Sequence, residues 1–290
     1  MKGMTLDAMA KACHGQLIGA NDMLFLCAQG IVIDSRKIQE DYVFVAIRGD
    51  RTDGHQYISQ VFEEGALAVV SEQPLNIQKP YILVTSTKQA LKDLAAFYLS
   101  QLDLTVVGIT GSVGKPSTKE MIASVLSQKY KVHKTEGNFN NEIGLPLTIF
   151  KIREEHQVAV LEMGISDFGE MHRLADIARP NLAVITNIGL SHLKTLKSRA
   201  GILKAKTEIF EHLRENAAVI LNGDDDMLST ITQVQDKAPI FYGIGTEKLQ
   251  TAVYQEKSVF ASDIENMGLN GIHLAIHIGS DTFCAQIPIP

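Results

Sequence analysis

The sequence predicts an α/β protein: a small N-terminal α/β domain over residues 1–100, then, over 101–290, a phosphate-loop-type, mostly parallel sheet with helices on both faces and a terminal β-hairpin. Three observations predict this. Short apolar runs alternate with amphipathic stretches along most of the chain. From residue 103 the alternation becomes regular strand-then-helix, the pattern of a parallel sheet covered on both faces. One strand–helix junction, GITGSVGKPSTKE at 108–120, has the make-up of a nucleotide phosphate loop.

The first element reads as a helix, with Thr5 as N-cap, Leu6, Met9, Ala10 and Cys13 on one face, and Gly15 as its stop. VFVAI (43–47), ALAVV (66–70) and YILVT (81–85) read as strands, with helices at 56–64 and 88–100. LTVVGIT (104–110), VAVLEMG (158–164), LAVITNI (182–188), AAVILN (217–222) and PIFYG (239–243) are the later strands. Apolar periodicity places helices between them at 116–128, 169–178, 198–213 and 225–235. NGIHLAIHIG, then SD, then TFCAQIPIP reads as a hairpin running to Pro290.

The 290 residues are enough for two domains. A net charge of −6 argues against a nucleic-acid or anionic-membrane partner. Cys13, Cys27 and Cys284 lie far apart, without metal or redox spacing, which fits a reducing cytoplasm. Asp7 and Lys11 interrupt any apolar signal segment, and no run approaches the roughly 20 apolar residues of a membrane span. A monomeric cytoplasmic protein is the expectation.

In the loop, Gly111, Ser112, Val113, Gly114, Lys115, Pro116 and Ser117 sit between a buried strand and a helix N-terminus. Backbone N–H groups and the helix dipole there meet phosphates, and Lys115 adds a point charge. The usual hydroxyl residue after the lysine, which holds Mg²⁺, is here Pro116, with Ser117 one place late. Glu162 closes a strand at the carboxyl edge where parallel sheets bind ligands, so it reads either as a Mg²⁺ ligand or as a turn cap. His192 follows another strand end, and reads as functional or structural. Successive helical residues turn by about 100°, which puts Lys206 inside the apolar arc Ile202, Ala205, Ile209 and Leu213. Lys204 falls on the opposite face, where pairing with Glu208 and Glu211 accounts for it. A lysine in an apolar stripe either snorkels to water or is used. Asn138, Asn140 and Asn141 form either an asparagine-rich turn entering a helix or a set of amides offered to a polar ligand.

With these residues in place, the chain resembles the Mur ligases. GITGSVGKPSTKEM, TEGNFNNEIGLPLT, LEMGISDFGEM, ITNIGLSHL and AKTEIF occur in the family's order and spacing, as does VIDSRKI…VFVAIRGDRTDGH at 32–55. The motifs lie nearest to the members that add D-alanyl-D-alanine to UDP-MurNAc-tripeptide. The resemblance implies an ATP- and Mg²⁺-dependent amide-bond ligase of peptidoglycan synthesis that works through an acyl phosphate. It implies catalytic roles for Lys115, His192 and Lys206. Glu162, His192 and carbamylated Lys206 would be metal ligands, with Ser117 as a poor substitute for the missing hydroxyl. Asp34, Ser35, Arg36, Arg48, Asp53, Gly54 and His55 match the segment facing the UDP-sugar, and the amides of Asn138, Asn140 and Asn141 complete the substrate set.

Two departures stand out. Pro116 removes an N–H and a hydroxyl, and the pre-proline bias pushes Lys115 away from helical geometry. Lys194 stands where the family usually has an acid. The family pattern also continues into a C-terminal domain that the sequence does not reach, so the expectation is of no turnover by this chain alone. A catalytically dead UDP-muramyl-peptide-binding module is the competing reading. Another Mur-type ligase, or a relative such as folylpolyglutamate synthase, is a third; the DSR…DGH segment counts against the latter.

Overall fold

The structure is a computed structural model that describes residues 1–19, 23–49, 52–244 and 258–288. In chain order the first elements are α1 (Leu6–Ala12), β1 (Gln16–Ile18), β2 (Gly30–Val32), β3 (Tyr42–Val45), α2 (Ile58–Glu63), β4 (Ala68–Ser71), β5 (Tyr81–Leu83) and α3 (Thr87–Ser100). There follow β6 (Thr105–Thr110), α4 (Lys115–Leu126), β7 (Val132–Lys134), α5 (Gly144–Ile149), β8 (Val158–Glu162), α6 (Glu170–Ala178) and β9 (Leu182–Ile185). The last are α7 (Leu193–Leu196), α8 (Arg199–Thr207), β10 (Ala218–Asn222), β11 (Ile240–Ile244), β12 (Val259–Asn266), β13 (Ile272–Ile278) and β14 (Asp281–Ile287). The fold is mixed α/β with mostly parallel strands, as the sequence pattern predicts.

Two compact units emerge. The first comprises Met1–Thr105, Ile122–Glu162 and Asp176–Ala178; the second comprises Val106–Met121, Met163–Ala175 and Arg179–Pro290.

In the first unit a five-stranded sheet has the order β1-β5-β4-β3-β2. Only the β1–β5 pairing is antiparallel. Phe44, Ala46, Val69 and Tyr81 form its core with Ile58 and Val61 of α2. Helix α1 begins at its expected cap: Thr5 accepts a hydrogen bond from the Ala8 N–H, which satisfies one of the helix's orphan donors. Ser86 caps α3 in the same way through Gln89 N–H. The apolar face of α3 (Ala90, Leu91, Leu94, Ala95, Tyr98 and Leu99) repeats at helical spacing and is buried throughout. Strands β7 and β8 pair in parallel in this unit.

In the second unit, β6, β9, β10, β11 and β12 pair in parallel in that spatial order. The antiparallel strands β13 and β14 complete the edge. The expected hairpin is present, but its two-residue turn is Gly279–Ser280 instead of SD, because Asp281 already pairs with Ile278. Gly279 supplies the positive φ, 58°, that such a turn needs. Ile289 and Pro290, the end of the expected second run, lie outside the described residues.

Two helical expectations change. The stretch 198–213 splits into α8 and a 3-10 segment, Glu208–His212. The helix expected at 225–235 is only a 3-10 turn, Leu228–Thr230. Asp225 does accept the N–H groups of Met227 and Leu228, as a helix cap would. The next residues, Thr230, Ile231, Thr232 and Val234, are β-branched and resist helical packing. Gln235 and Asp236 then take positive φ, and Val234 bridges to Lys237.

Tyr98, fully buried, donates from its hydroxyl to the Ile152 carbonyl at 2.6 Å. The Arg153 guanidinium donates to the same oxygen at 2.9 Å. Tyr98→Phe is therefore expected to cost only about 1 kcal/mol, since the carbonyl keeps a partner. Tyr98→Ala is expected to cost about 3–5 kcal/mol through the cavity it leaves. Urea unfolding of the two variants checks the contrast.

Candidate active site

The second unit carries the glycine-rich loop. Gly111 and Gly114 both have positive φ, 149° and 80°. A Cβ on Gly111 would lie 1.9 Å from Thr186 Oγ1, so no other residue fits there without moving Thr186. A Cβ on Gly114 would meet nothing within 4 Å; this glycine serves conformation, not space.

Residues just past β9 pin the loop. Ser112 N–H donates to Asn187 O (3.0 Å) and Val113 N–H to Asn187 Oδ1 (3.0 Å). Thr186 Oγ1 and Asn187 Nδ2 both donate to the Val113 carbonyl, at 2.7 and 3.0 Å. Ser112 Oγ accepts from Gly189 N–H at 2.9 Å. Asp225 in turn accepts the Ile188 N–H, 2.8 Å.

Lys115 Nζ donates to the Gly111 carbonyl at 2.8 Å, so its charge sits over the loop. Helix α4 begins at Lys115; the expected displacement of Lys115 from helical geometry does not occur. Pro116 falls among the first helical residues, whose N–H groups have no intrahelical partner, so its missing donor breaks no ladder bond. Ser117 is exposed.

Lys206 is only 2% exposed, among the fully buried Ile202, Ala205 and Ile209. It does not snorkel. Burial first, and then the nearby charge of Lys115, push its pKa down to about 7. Lys204 is exposed, as expected. Glu208, its expected partner, instead accepts from the N–H groups of Gly169 and His172 and caps the start of α6. His192 is exposed, holds a positive φ of 58° and stands as the N-cap residue of α7. Lys194 is exposed in α7.

The first unit carries the buried acid. Glu162 is 2% exposed. Its N–H donates to Thr135 Oγ1 (2.9 Å), and its Oε1 accepts from Asn140 Nδ2 (2.8 Å). Its Oε2 is buried with no hydrogen-bond partner among the described residues. An acid with one oxygen left over suits a hard cation, which takes carboxylate oxygens. Asn141 Oδ1 accepts the N–H groups of Ile143 and Gly144 at the entry to α5, the turn-forming role. Asn138 is exposed.

The N-terminal candidates form two tight knots in this unit. Arg36 grips Asp34 with two N–H groups, at 2.9 and 2.8 Å, leaving Arg36 largely exposed. Ser35, between them, is buried. Asp53 accepts the backbone and ring N–H groups of His55 (3.0 and 2.6 Å) and Arg48 Nε (3.0 Å). Those bonds hold the Asp53 carboxyl well below the usual range. His55 Nε2 accepts the Glu72 N–H, so both of its ring nitrogens are engaged. A Cβ on Gly54 would press on the Ile47 backbone at 2.9 Å. Arg48 is thus the member of its knot that faces water. A cavity of about 460 Å³ in the same unit is lined by Asp34, Arg36, Lys134, Phe139, Lys151 and Arg153 among others. His133, on its wall, is pushed down to about 4, mainly by burial.

Sequence reasoning did not single out Thr135, Thr186, Asn187 or Asp225. Thr186 and Asn187 carry a signal that could have found them: polar residues directly after an apolar strand, at the ligand edge of a parallel sheet.

A phosphate loop after a buried strand, in an α/β chain with these motifs, defines a nucleotide-using enzyme class, and the family comparisons are specific. The Mur ligase middle domain matches residues 109–280, and the Mur ligase family catalytic domain matches 28–104. This chain belongs to the Mur ligase family. It is 42% identical over 263 residues to UDP-N-acetylmuramoyl-tripeptide–D-alanyl-D-alanine ligase of Bacillus subtilis (strain 168), across 89% of this chain and 54% of that protein. The Escherichia coli (strain K12) enzyme of the same name is 38% identical over 226 residues, 78% of this chain and 49% of that one. The chain spans about half the length of these curated relatives. Crystal structure I of MurF from Acinetobacter baumannii superposes with a TM-score of 0.86 at 30% identity, covering 99% of this chain and 61% of that one. MurF from Thermotoga maritima in complex with ADP gives 0.77 at 32% identity, covering 89% and 58%. No helix among the described residues is long and apolar enough to cross a membrane.

The depressed Lys206 pKa carries a stability signature. Below about pH 7 the buried ammonium imposes its full cost on the folded chain. Between about 7 and the ordinary lysine value of 10.5 the unfolded chain binds the extra proton, so stability rises with pH. Lys206→Met should stabilise the protein most at about pH 6. Its advantage should shrink by up to about 1.4 kcal/mol per pH unit above neutrality. Urea titrations of both proteins at acid and alkaline pH measure this.

Proposed function

We propose that this chain carries the nucleotide- and muramyl-peptide-handling parts of an ATP-dependent ligase that joins D-alanyl-D-alanine to UDP-MurNAc-tripeptide in cytoplasmic peptidoglycan synthesis. Residues 1–100 would recognise the UDP-muramyl peptide, and the region from 101 would handle ATP. The observation that carries the reading is Lys206: a lysine buried in an apolar arc, its pKa brought near neutrality by burial and by the phosphate-loop Lys115. Similarity to the D-alanyl-D-alanine-adding ligases of Bacillus subtilis and Escherichia coli supports the substrate pair, and the ADP complex of the Thermotoga maritima relative supports the nucleotide.

In this reading the γ-phosphoryl group of ATP passes to a terminal carboxylate oxygen of the tripeptide, and ADP leaves. The amine of D-Ala-D-Ala then attacks the acyl carbon, loses a proton and expels phosphate. The loop N–H groups and Lys115 would balance charge on the transferring phosphoryl group. Arg48 and Arg36, each fixed by an aspartate, would meet the diphosphate of the UDP-sugar as preorganised forks. Asn138, Asn140 and Asn141 would flank the muramyl peptide. By resemblance to the family, Glu162, with its unpartnered oxygen, would be a Mg²⁺ ligand, and so would His192 and Lys206. A bound Mg²⁺ would neutralise phosphate charge. An amine with a pKa of about 7 is substantially neutral at physiological pH, the form that adds to CO₂ to give a carbamate. Carbamylation would turn Lys206 into an anionic ligand.

A second reading, a binding module without catalysis, draws on Pro116 and the exposed Ser117 in the loop. Calorimetry with UDP-MurNAc-tripeptide and, separately, with Mg·ATP decides between them. The ligase reading expects both to bind. Arg48→Ala should then weaken tripeptide binding about 10- to 100-fold, the worth of a charged hydrogen bond, while leaving ATP binding unchanged. Tripeptide binding without ATP binding supports the module, and restoration by Pro116→Thr would make the proline its cause. Absence of tripeptide binding defeats both readings. ADP release that requires both tripeptide and D-Ala-D-Ala rules out the module.

A further inference from the structure

The second unit holds a cluster that the reaction does not use. His172 lies in the first turn of α6, and Glu211 and His212 end the 3-10 segment Glu208–His212. One ligand atom from each lies within 4.8 Å of the others, the one such triad found among the described residues.

The triad's backbone is fixed by bonds outside it. Glu208 accepts the N–H groups of Gly169 and His172, which ties the 3-10 segment to the start of α6. Gln235 Nε2 donates to the Phe210 carbonyl at 3.3 Å. The side chains are then brought together at short range. His172 Nδ1 faces Glu211 Oε2 at 2.6 Å, and the imidazole rings of His172 and His212 meet edge to face, their centroids 4.4 Å apart.

His172 Nδ1 is where the three side chains meet: Glu211 Oε2 lies 2.6 Å from it and His212 Nε2 3.3 Å. The separation of the two nitrogens suits ligands on one cation, because zinc–imidazole bonds of about 2.0–2.1 Å in tetrahedral geometry place ligand atoms about 3.3 Å apart.

We propose that His172, His212 and Glu211 form a site for a borderline divalent transition ion, Zn²⁺ being the natural probe. His172 Nδ1 and His212 Nε2 are the nitrogen ligands, Glu211 Oε2 supplies carboxylate oxygen, and water fills the remaining position. Imidazole with carboxylate selects such ions over Mg²⁺, which prefers oxygen alone. Bound there, the ion staples α6 to the segment that directly follows α8, the helix of Lys206. The side chains of His172 and Glu211 are 48% and 53% exposed, so the site is open to the ion and tolerant of substitution.

The test is calorimetric titration of Zn²⁺ into the full chain, with millimolar Mg²⁺ present to occupy oxygen-rich sites. One equivalent should bind in the micromolar range and raise the thermal midpoint. The H172A/H212A double variant, shown folded by circular dichroism, should bind at least about 100-fold more weakly, the upper end of what losing an outer partner alone costs. Absence of saturable binding, or undiminished binding by the double variant, overturns the proposal. If the double variant fails to fold, E211Q decides: a loss of about tenfold sustains the site, and an unchanged affinity overturns it.

Discussion

The second unit depends on how residues 112 and 113 are satisfied. Ser112 of the glycine-rich loop is buried, so its polar groups need partners. Just past β9, Asn187 takes the N–H groups of both Ser112 and Val113, and Thr186 and Asn187 each donate to the Val113 carbonyl. Gly111 lets this happen, since any Cβ there would collide with Thr186. The pairing of β6 with β9 brings the two strand ends side by side. The shape of the loop is thus set by the neighbouring strand, and the start of α4, with Lys115, follows from it.

The same economy of polar groups runs through the first unit. Glu162 is buried at the end of β8 and tolerated because Thr135 and Asn140 meet its N–H and one of its oxygens. In the N-terminal knots, Asp53 and Asp34 serve the arginines. His55 is locked between Asp53 and the Glu72 N–H, which makes it a support for Arg48. A residue that resembles a ligand contact in a motif can act by holding the one that is exposed.

Much of the fold was legible. Buried strands read as continuous apolar runs, and β6, β8, β9, β10 and β11 all begin within a residue or so of their expected positions. The caps Thr5 and Ser86 act locally through residues three places on. Strands β1, β2, β7 and β12 were not legible, because none of them holds an apolar run as long as the YILV that spans β5. The helix expected at 225–235 failed for a local reason, a β-branched run after a good cap. At the site, the loop and Lys206 could be found from pattern, whereas Thr135 could not, since it acts on a residue 27 positions away.

The sequence by itself determined the class of fold, the strand–loop–helix that holds Lys115, the anomaly of Pro116 and the placement of Lys206 on an apolar face. All of these follow from local spacing. Tertiary structure decided what spacing cannot reach. It buried Lys206 fully beside the charge of Lys115, which lowers its pKa to about 7. It left one Glu162 oxygen without a partner. It turned Glu208 from a surface pair with Lys204 into the cap of another helix, and so set His172 against Glu211 and His212. Burial, desolvation and hydrogen-bond satisfaction depend on which distant segments come together, and only the folded chain specifies that.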